Sequence, residues 1–236
     1  MKQVSRSNPV VELQQVVFRW SETAEPTLDI PQFRIQAGEH LFIKGPSGCG
    51  KSTLLSLLTG INRPQQGNVY VLGQNLSAMK GSQRDRFRAD HLGYIFQQFN
   101  LLPYLSVVEN VTLPCRFSAL RKQRVQGDLH HEAKQLLDRL HLPSSYINKP
   151  VVELSIGQQQ RVAAARALIG APPLIIADEP TSSLDYENRA AFIELLMEQS
   201  NQAKSTLLFV SHDPTLESLF DQTVHLNKLN QAGGVA

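Results

Sequence analysis

The sequence predicts an α/β fold, a parallel sheet flanked by helices, with a run of further helices inserted into it. Three observations lead there. Stretches rich in β-branched and aromatic residues alternate with helix-period stretches toward both ends of the chain. A glycine-rich loop, Gly45-Pro46-Ser47-Gly48-Cys49-Gly50-Lys51-Ser52, joins a predicted strand to a predicted helix. From about residue 97 to about residue 171 the pattern turns helical. The 236 residues suffice for one sizeable core with an inserted subdomain. We therefore expect a single domain over 1–236, its core at about 1–96 and 172–236 and a helical subdomain at about 97–171.

Val10–Phe18 and Leu41–Lys44 read as strands, the first reaching the glycine-rich region through a turn at Ala37-Gly38-Glu39. Lys51–Thr59 reads as a helix with Leu54, Leu55 and Leu58 on one face. Asn68–Leu72 is a short strand, Gln83–His91 a charged helix and Leu92–Phe96 another strand. Within the helical stretch, His130–His141 carries Ala133, Leu136, Leu137 and Leu140 at helical spacing. Gly157–Ile169 carries Val162, Ala165, Arg166 and Leu168 in the same way. Strands return at Leu174–Ala177 and Thr206–Val210, with a helix, Tyr186–Gln199, between them. The tail NQAGGVA is expected to fray.

Composition excludes several classes. Hydrophobic residues make up 42% and charged residues 19%, ordinary for a globular protein. A net charge of +2 gives no global reason to expect nucleic acid as a partner. Cys49 and Cys115 cannot form a disulfide framework, which suits a reducing cytoplasm. No apolar run approaches the length of a membrane span, and the first residues lack a secretory signal. If this protein serves a membrane, another chain supplies the spanning helices. His130 and His131 are adjacent and so cannot face one metal from one helix side. The clusters Arg84–Arg88 and Arg116–Arg124 read as solvated faces, or as surfaces for lipid headgroups or acidic loops.

GPSGCGKS fits G-x-x-x-x-G-K-S/T at every fixed position, in the strand–loop–helix context that the pattern requires. Glycines let backbone N–H groups turn inward onto phosphate oxygens, and the helix that follows points its positive end at the same place. Lys51 is placed to reach the β- and γ-phosphates, and the Ser52 hydroxyl to take one Mg²⁺ position. The apolar strand Leu174–Ala177 runs into Asp178 and Glu179. Asp178 is placed to hold Mg²⁺, and Glu179 to polarise an attacking water as general base.

Leu154–Leu168, LSIGQQQRVAAARAL, resembles the signature sequence of ATP-binding-cassette ATPases. Further stretches agree in order. Gln97 in GYIFQQFNLLP resembles the glutamine-loop residue, Asp185 in PTSSLD the aspartate after the second acid, and His212 in VSHD the switch histidine. Trp20 stands where such proteins place an adenine-stacking aromatic, with Phe18 competing for that role. The resemblance covers about residues 10–228. It implies a RecA-like P-loop core with N-terminal antiparallel strands and an inserted helical subdomain. It implies ATP and Mg²⁺ as cofactors, with nucleotide contacts from Gly45, Pro46, Ser47, Gly48, Cys49, Gly50, Lys51, Ser52 and Thr53. Metal contacts are implied for Ser52, Gln97 and Asp178, and catalytic roles for Lys51, Gln97, Glu179 and His212. Ser155, Gly157 and Gln158 are implied to bind nucleotide across a head-to-tail dimer, and Asp185 is implied to bind nucleotide as well. Family members usually have Gly where this chain has Ile156. Either the backbone there is ordinary and Ile156 packs, or the signature binds phosphate less well.

GYIFQQFNLLPYLSVVENVTLP resembles the ATPase subunits of lipoprotein-releasing and macrolide-export systems, and those of glycolipid export and cell division. That resemblance implies an integral membrane permease as partner and a peripheral place on the cytoplasmic face of the inner membrane. Phe99, Leu101, Leu102, Tyr104 and Leu105 are expected to line a groove for a short permease helix, or to be core residues of the subdomain. The contrasting readings are a cassette ATPase acting on ribosomes or DNA, and a small-molecule kinase. One cassette, no sustained heptads and the presence of the signature argue against them.

Overall fold

The computed structural model describes residues 9–125, 127–182 and 186–232. Its centre is a parallel sheet in the order β6-β7-β8-β3-β9: β6 (Leu92–Ile95), β7 (Leu174–Asp178), β8 (Thr206–Ser211), β3 (His40–Lys44) and β9 (Gln222–His225). The three inner strands are buried along almost their whole length. A parallel strand covered on both faces reads as a continuous apolar run rather than an alternating one, which is how LIIAD and TLLFVS look.

Alternate residues of these strands feed two separate cores. Phe42, Ile95, Ile175, Ala177, Leu207 and Phe209 point to one face. Leu41, Ile43, Leu174, Ile176, Leu208 and Val210 point to the other. The second face packs on α1 (Lys51–Leu58) and on an antiparallel sheet, β2-β1-β4-β5, made of β1 (Val11–Phe18), β2 (Leu28–Ile35), β4 (Gln66–Val71) and β5 (Gln74–Asn75). Strand β2 escapes the sequence reading, so β1 does not run straight to the glycine-rich region. Pro31 interrupts the β2 pattern, and the ladder skips it, with Ile30 opposite Val16 and Gln32 opposite Gln14. An edge strand tolerates such a residue. Helix α1 is buried more fully than one apolar face requires, because Thr53 and Leu57 join Leu54, Leu55 and Leu58 in the interior.

The first face is covered by the helical stretch and α8 (Tyr186–Gln202). After α2 (Gly81–His91) and β6 come α3 (Val107–Thr112), α4 (Pro114–Phe117), α5 (Ala119–Arg124), α6 (Leu129–Arg139) and α7 (Ile156–Leu168). Residues of α3, α6 and α7 share one continuous core with the sheet. The basic clusters are mixed: Arg86, Arg116 and Lys122 are exposed, whereas four other arginines are structural. Arg84 donates to the Gly60 and Met79 carbonyls, Arg88 to Thr59 and Arg124 to Asp90. Arg121 is buried and donates to the Leu92, Ala167 and Ile169 carbonyls. These guanidinium groups tie loops and helix ends together, Arg121 from full burial and the other three while still partly exposed. The tail is not frayed at its start. After α9 (Leu226–Leu229), the Gln231 amide donates to the Asp29 carbonyl at 2.8 Å, and Asn230 is tied on both sides of its amide group.

Candidate active site

Four neighbouring strands end side by side. Beyond β6 comes Gln97, at the end of β7 come Asp178 and Glu179, beyond β8 comes His212, and beyond β3 comes the glycine-rich loop. Ligands of open α/β sheets sit at the carboxyl ends of their strands. A pocket of about 700 Å³ opens there, lined by Trp20, Thr27, Pro46, Ser47, Gly48, Gly50, Lys51, Ser52, Thr53, Gln97, Glu179 and His212.

The loop needs its glycines. Gly48 and Gly50 hold left-handed φ values of 82° and 100°. A Cβ on Gly50 would also lie 2.7 Å from Leu28 Cδ2. Gly50 is the N-cap of α1, so the positive end of that helix faces the pocket. Lys51 Nζ donates to the Gly45 carbonyl at 2.7 Å and the Pro46 carbonyl at 3.0 Å, and lies 3.8 Å from Glu179 Oε1. Gly45 and Cys49 are part of the loop but do not line the pocket.

Glu179 adopts a left-handed φ of 46°, and its amide donates to the Val210 carbonyl on β8 at 2.8 Å. That turn lifts the carboxylate out of strand direction and sets Oε2 2.6 Å from His212 Nδ1. A carboxylate held between an imidazole and an ammonium is well placed to orient a water nucleophile. Asp178 is half-buried behind the pocket and accepts a 3.2 Å hydrogen bond from the Tyr94 hydroxyl on β6. Burial pushes its carboxyl above the usual carboxylate range. Glu179 adds to that rise, and Tyr94 and Lys51 oppose it. Burial likewise pushes the Tyr94 phenol up, so it stays a donor. Sequence reasoning missed Tyr94 and Thr27. Tyr94 was visible only as a strand residue two positions before Phe96, and its role comes from lying across the sheet, opposite Ile176.

At one edge of the pocket, Trp20 is 64% exposed and stands edge-on to Phe18, with 5.1 Å between ring centroids. Phe18 is buried, so Trp20 is the ring that faces the pocket. Asp185 lies outside the described residues. Ser155, Gly157 and Gln158 do not line this pocket. They form the start of α7, where Ser155 Oγ accepts from the Gln158 amide at 3.3 Å and Gln158 Oε1 accepts from the Ser155 amide at 2.9 Å. Ile156 has ordinary helical backbone, so the glycine usual at this place is not required for its φ. Its side chain is 54% exposed, which corrects the expectation that it packs.

The far end of α7 reaches the segment after Gln97. Arg166 donates to the Phe99 and Asn100 carbonyls, holding two successive residues at left-handed φ values of 59° and 48°. Burial lowers the Arg166 pKa to about 10, which leaves the group charged near neutrality. Phe99 is itself buried, and Leu101 packs on the same core. Of the residues expected to line a groove, Tyr104 is the one that stands out into solvent, at 77% exposure.

A glycine loop capping a helix, a strand-end acid pair and a histidine at the next strand end define a P-loop ATPase. Comparison with known proteins narrows the class. The sequence profile described as "ABC transporter" matches residues 28–182. The chain is 36% identical over 231 residues to the lipoprotein-releasing system ATP-binding protein LolD of Saccharophagus degradans, covering 96% of this chain and 99% of that one. It is 36% identical to the macrolide export ATP-binding/permease protein MacB of Marinobacter nauticus, covering 92% of this chain and 33% of that protein. Its structure is similar to the dimeric post-hydrolysis state of the ATP-binding cassette MJ0796 bound to ADP and Pi. That likeness has a TM-score of 0.79 at 32% identity and covers 92% of this chain and 95% of the other. The chain belongs to the ABC transporter family, as an ATP-binding and ATP-hydrolysing cassette.

Proposed function

We propose that the pocket binds MgATP, that two copies close head to tail over two nucleotides, and that closure drives a separate membrane permease. The observation that carries this reading is a separation. The phosphate loop, Glu179 and His212 share one pocket, whereas the start of α7 lies elsewhere. Ser155 is exposed, and its Oγ accepts from Gln158 while its own proton remains available to donate. The first-turn amides of Ile156 and Gly157 have no intrahelical acceptor. Together they make an anion site whose ligand is the γ-phosphate held by a second copy. The dimeric cassette similar to this chain supports such a pairing.

In this reading Lys51 exchanges its carbonyl partners for phosphate oxygens, and Trp20 stacks on the base. Glu179 takes a proton from the attacking water, and His212 holds the carboxylate and meets the γ-phosphate. Ser52, Gln97 and Asp178 offer only oxygen donors, which suits a hard cation that keeps some of its waters. Among the described residues no group of three His, Cys, Asp or Glu gathers as an all-protein metal cage, again the pattern of a cation shared with phosphates. Mg²⁺ would neutralise charge on the phosphates.

For the permease we propose a groove of about 320 Å³ between α2, β6 and α4, lined in part by Leu92, Tyr94, Phe96, Pro114 and Phe117. Phe96 and Phe117 are exposed rings there, of the kind that grips an apolar helix face. No helix among the described residues is long and apolar enough to cross a membrane, so we place the chain peripherally on the cytoplasmic face beside that permease.

The test is Glu179→Gln. It should leave ATP binding intact, slow hydrolysis by roughly 10²–10⁴-fold and trap an ATP-bound dimer in size-exclusion chromatography with MgATP. A variant that hydrolyses at the normal rate and stays monomeric removes Glu179, and with it the proposed mechanism.

A further inference from the structure

We infer that Asn230 is a positioning residue that sets the distance between the base end and the phosphate end of the nucleotide pocket. It lies outside the residues matched by the family profile, at the C-cap of α9. Its Oδ1 accepts from the Asp29 amide at 2.8 Å and from the Ala232 amide at 3.1 Å. Its Nδ2 donates to the Thr27 carbonyl at 2.9 Å and to the Cys49 carbonyl at 3.4 Å. One amide group thus bridges the start of β2 and the phosphate loop. Thr27 lines the pocket, and its amide donates to the Phe18 carbonyl at 2.8 Å, close to Trp20 in the chain. Cys49 sits inside the loop, between Gly48 and Gly50.

The surroundings make this bridge stiff. Strand β9 pairs with β3, the strand that feeds the loop, and Leu226 is fully buried beneath it, 3.6 Å from where a Gly45 Cβ would lie. Gly50 packs against the start of β2, where a Cβ would sit 2.7 Å from Leu28 Cδ2 and touch the Thr27 carbonyl oxygen at 3.4 Å. The C-terminal unit is therefore the floor of the loop, and Asn230 is the point where that floor grips the base side. A nucleotide engages both ends at once, so a fixed span between them means that less freedom is lost on binding. A ligand that uses only the phosphate end gains nothing from the span.

The inference rests on the reading of this pocket as an ATP site, and the test separates the two. Calorimetric titrations of Asn230→Ala and Asn230→Asp compare MgATP with inorganic tripolyphosphate, and melting temperatures are recorded alongside. The Asp variant retains the acceptor for Asp29 but presents a carboxylate to the Thr27 and Cys49 carbonyls. Both variants should bind MgATP roughly fivefold to twentyfold more weakly, the effect of a lost hydrogen-bonded tie, with tripolyphosphate affinity changed less than about twofold. In a Trp20→Ala background, which also lowers ATP affinity, Asn230→Ala should have little further effect, because the base end then contributes little to be aligned. Parallel weakening of MgATP and tripolyphosphate, or unchanged MgATP affinity, overturns the inference. If Trp20→Ala alone leaves ATP affinity unchanged, the stacking role of Trp20 fails, and the MgATP-to-tripolyphosphate comparison still decides for or against Asn230.

Discussion

At the scale of single residues, the site is a set of charges held in uneasy company. Asp178 is the clearest case, since burial raises its pKa and Glu179 reinforces the effect. An acid whose folded pKa is raised stabilises the fold while protonated. That contribution is complete below the unfolded pKa and is lost as pH rises through the folded one. Asp178→Asn stays neutral throughout, so without nucleotide or Mg²⁺ it should melt higher than the parent at neutral pH. The gap should close as pH falls through the range of an ordinary carboxylate. Melting curves against pH check this, and a gap that widens in acid contradicts the burial argument. Lys51→Ala acts on binding instead. Replacing a point charge between terminal phosphates should weaken MgATP roughly tenfold to hundredfold in titrations with a fluorescent analogue. Unchanged affinity assigns the phosphates to the loop amides alone. Lys51, Asp178 and Glu179 were legible in sequence because their chemistry demands one residue type at one spacing. Tyr94 and Asn230 were not, because their roles come from contacts across strands, 84 residues away at Asp178 and 181 away at Cys49.

At the scale of elements, four of the five parallel strands and the longer helices were legible because their apolar runs record which surfaces are buried, whereas the short, half-buried edge strand β9 carries no apolar run and was missed. The β2 edge strand was hidden by Pro31, and the short helices α3 to α5 offer too few turns to show a period. Basic residues were the most misleading signal. Composition marks Arg121 as a surface charge, yet it closes the carboxyl end of α7 by donating to the Ala167 and Ile169 carbonyls. A cation at a helix C-terminus satisfies carbonyls that have no intrahelical donor. Burial lowers its pKa to about 10, still charged in neutral solution. Gly170 follows at a left-handed φ of 70°, where a Cβ would lie 2.6 Å from the Arg121 carbonyl oxygen. Arg121→Met keeps the length and removes the donors, leaving several buried carbonyls unsatisfied. We expect a loss of about 3 kcal/mol, and a melting temperature lower by roughly 6–12 °C for a domain of this size. Arg121→Lys should recover part of it. A Met variant as stable as the parent means that water reaches those carbonyls.

At the scale of the whole molecule, the proposed reading puts two halves of a catalytic site on one chain without joining them. The pocket lies at the ends of the parallel strands, and the start of α7, where we propose an anion site, lies away from that pocket. A head-to-tail pair of copies would unite them, each α7 facing the nucleotide of the other. Ser155 allows a sharp test because its two duties can be separated. It caps α7, and in the proposed dimer it offers a hydroxyl to the partner's phosphate. Asp caps a helix as well as Ser does, so Ser155→Asp should leave the unfolding free energy within about 1 kcal/mol of the parent. It also sets a negative charge against the γ-phosphate of the second copy. Monomer affinity for ATP should be unchanged, while hydrolysis falls to background and the ATP-dependent dimer disappears. Mixing Ser155→Asp with Lys51→Ala then probes the geometry. In a mixed dimer one composite site carries both lesions and the other carries neither, so the mixture should hydrolyse ATP although each variant alone does not. A Ser155→Asp protein that hydrolyses ATP at the parental rate would show that α7 serves no partner, because a carboxylate cannot sit against a γ-phosphate without slowing the reaction.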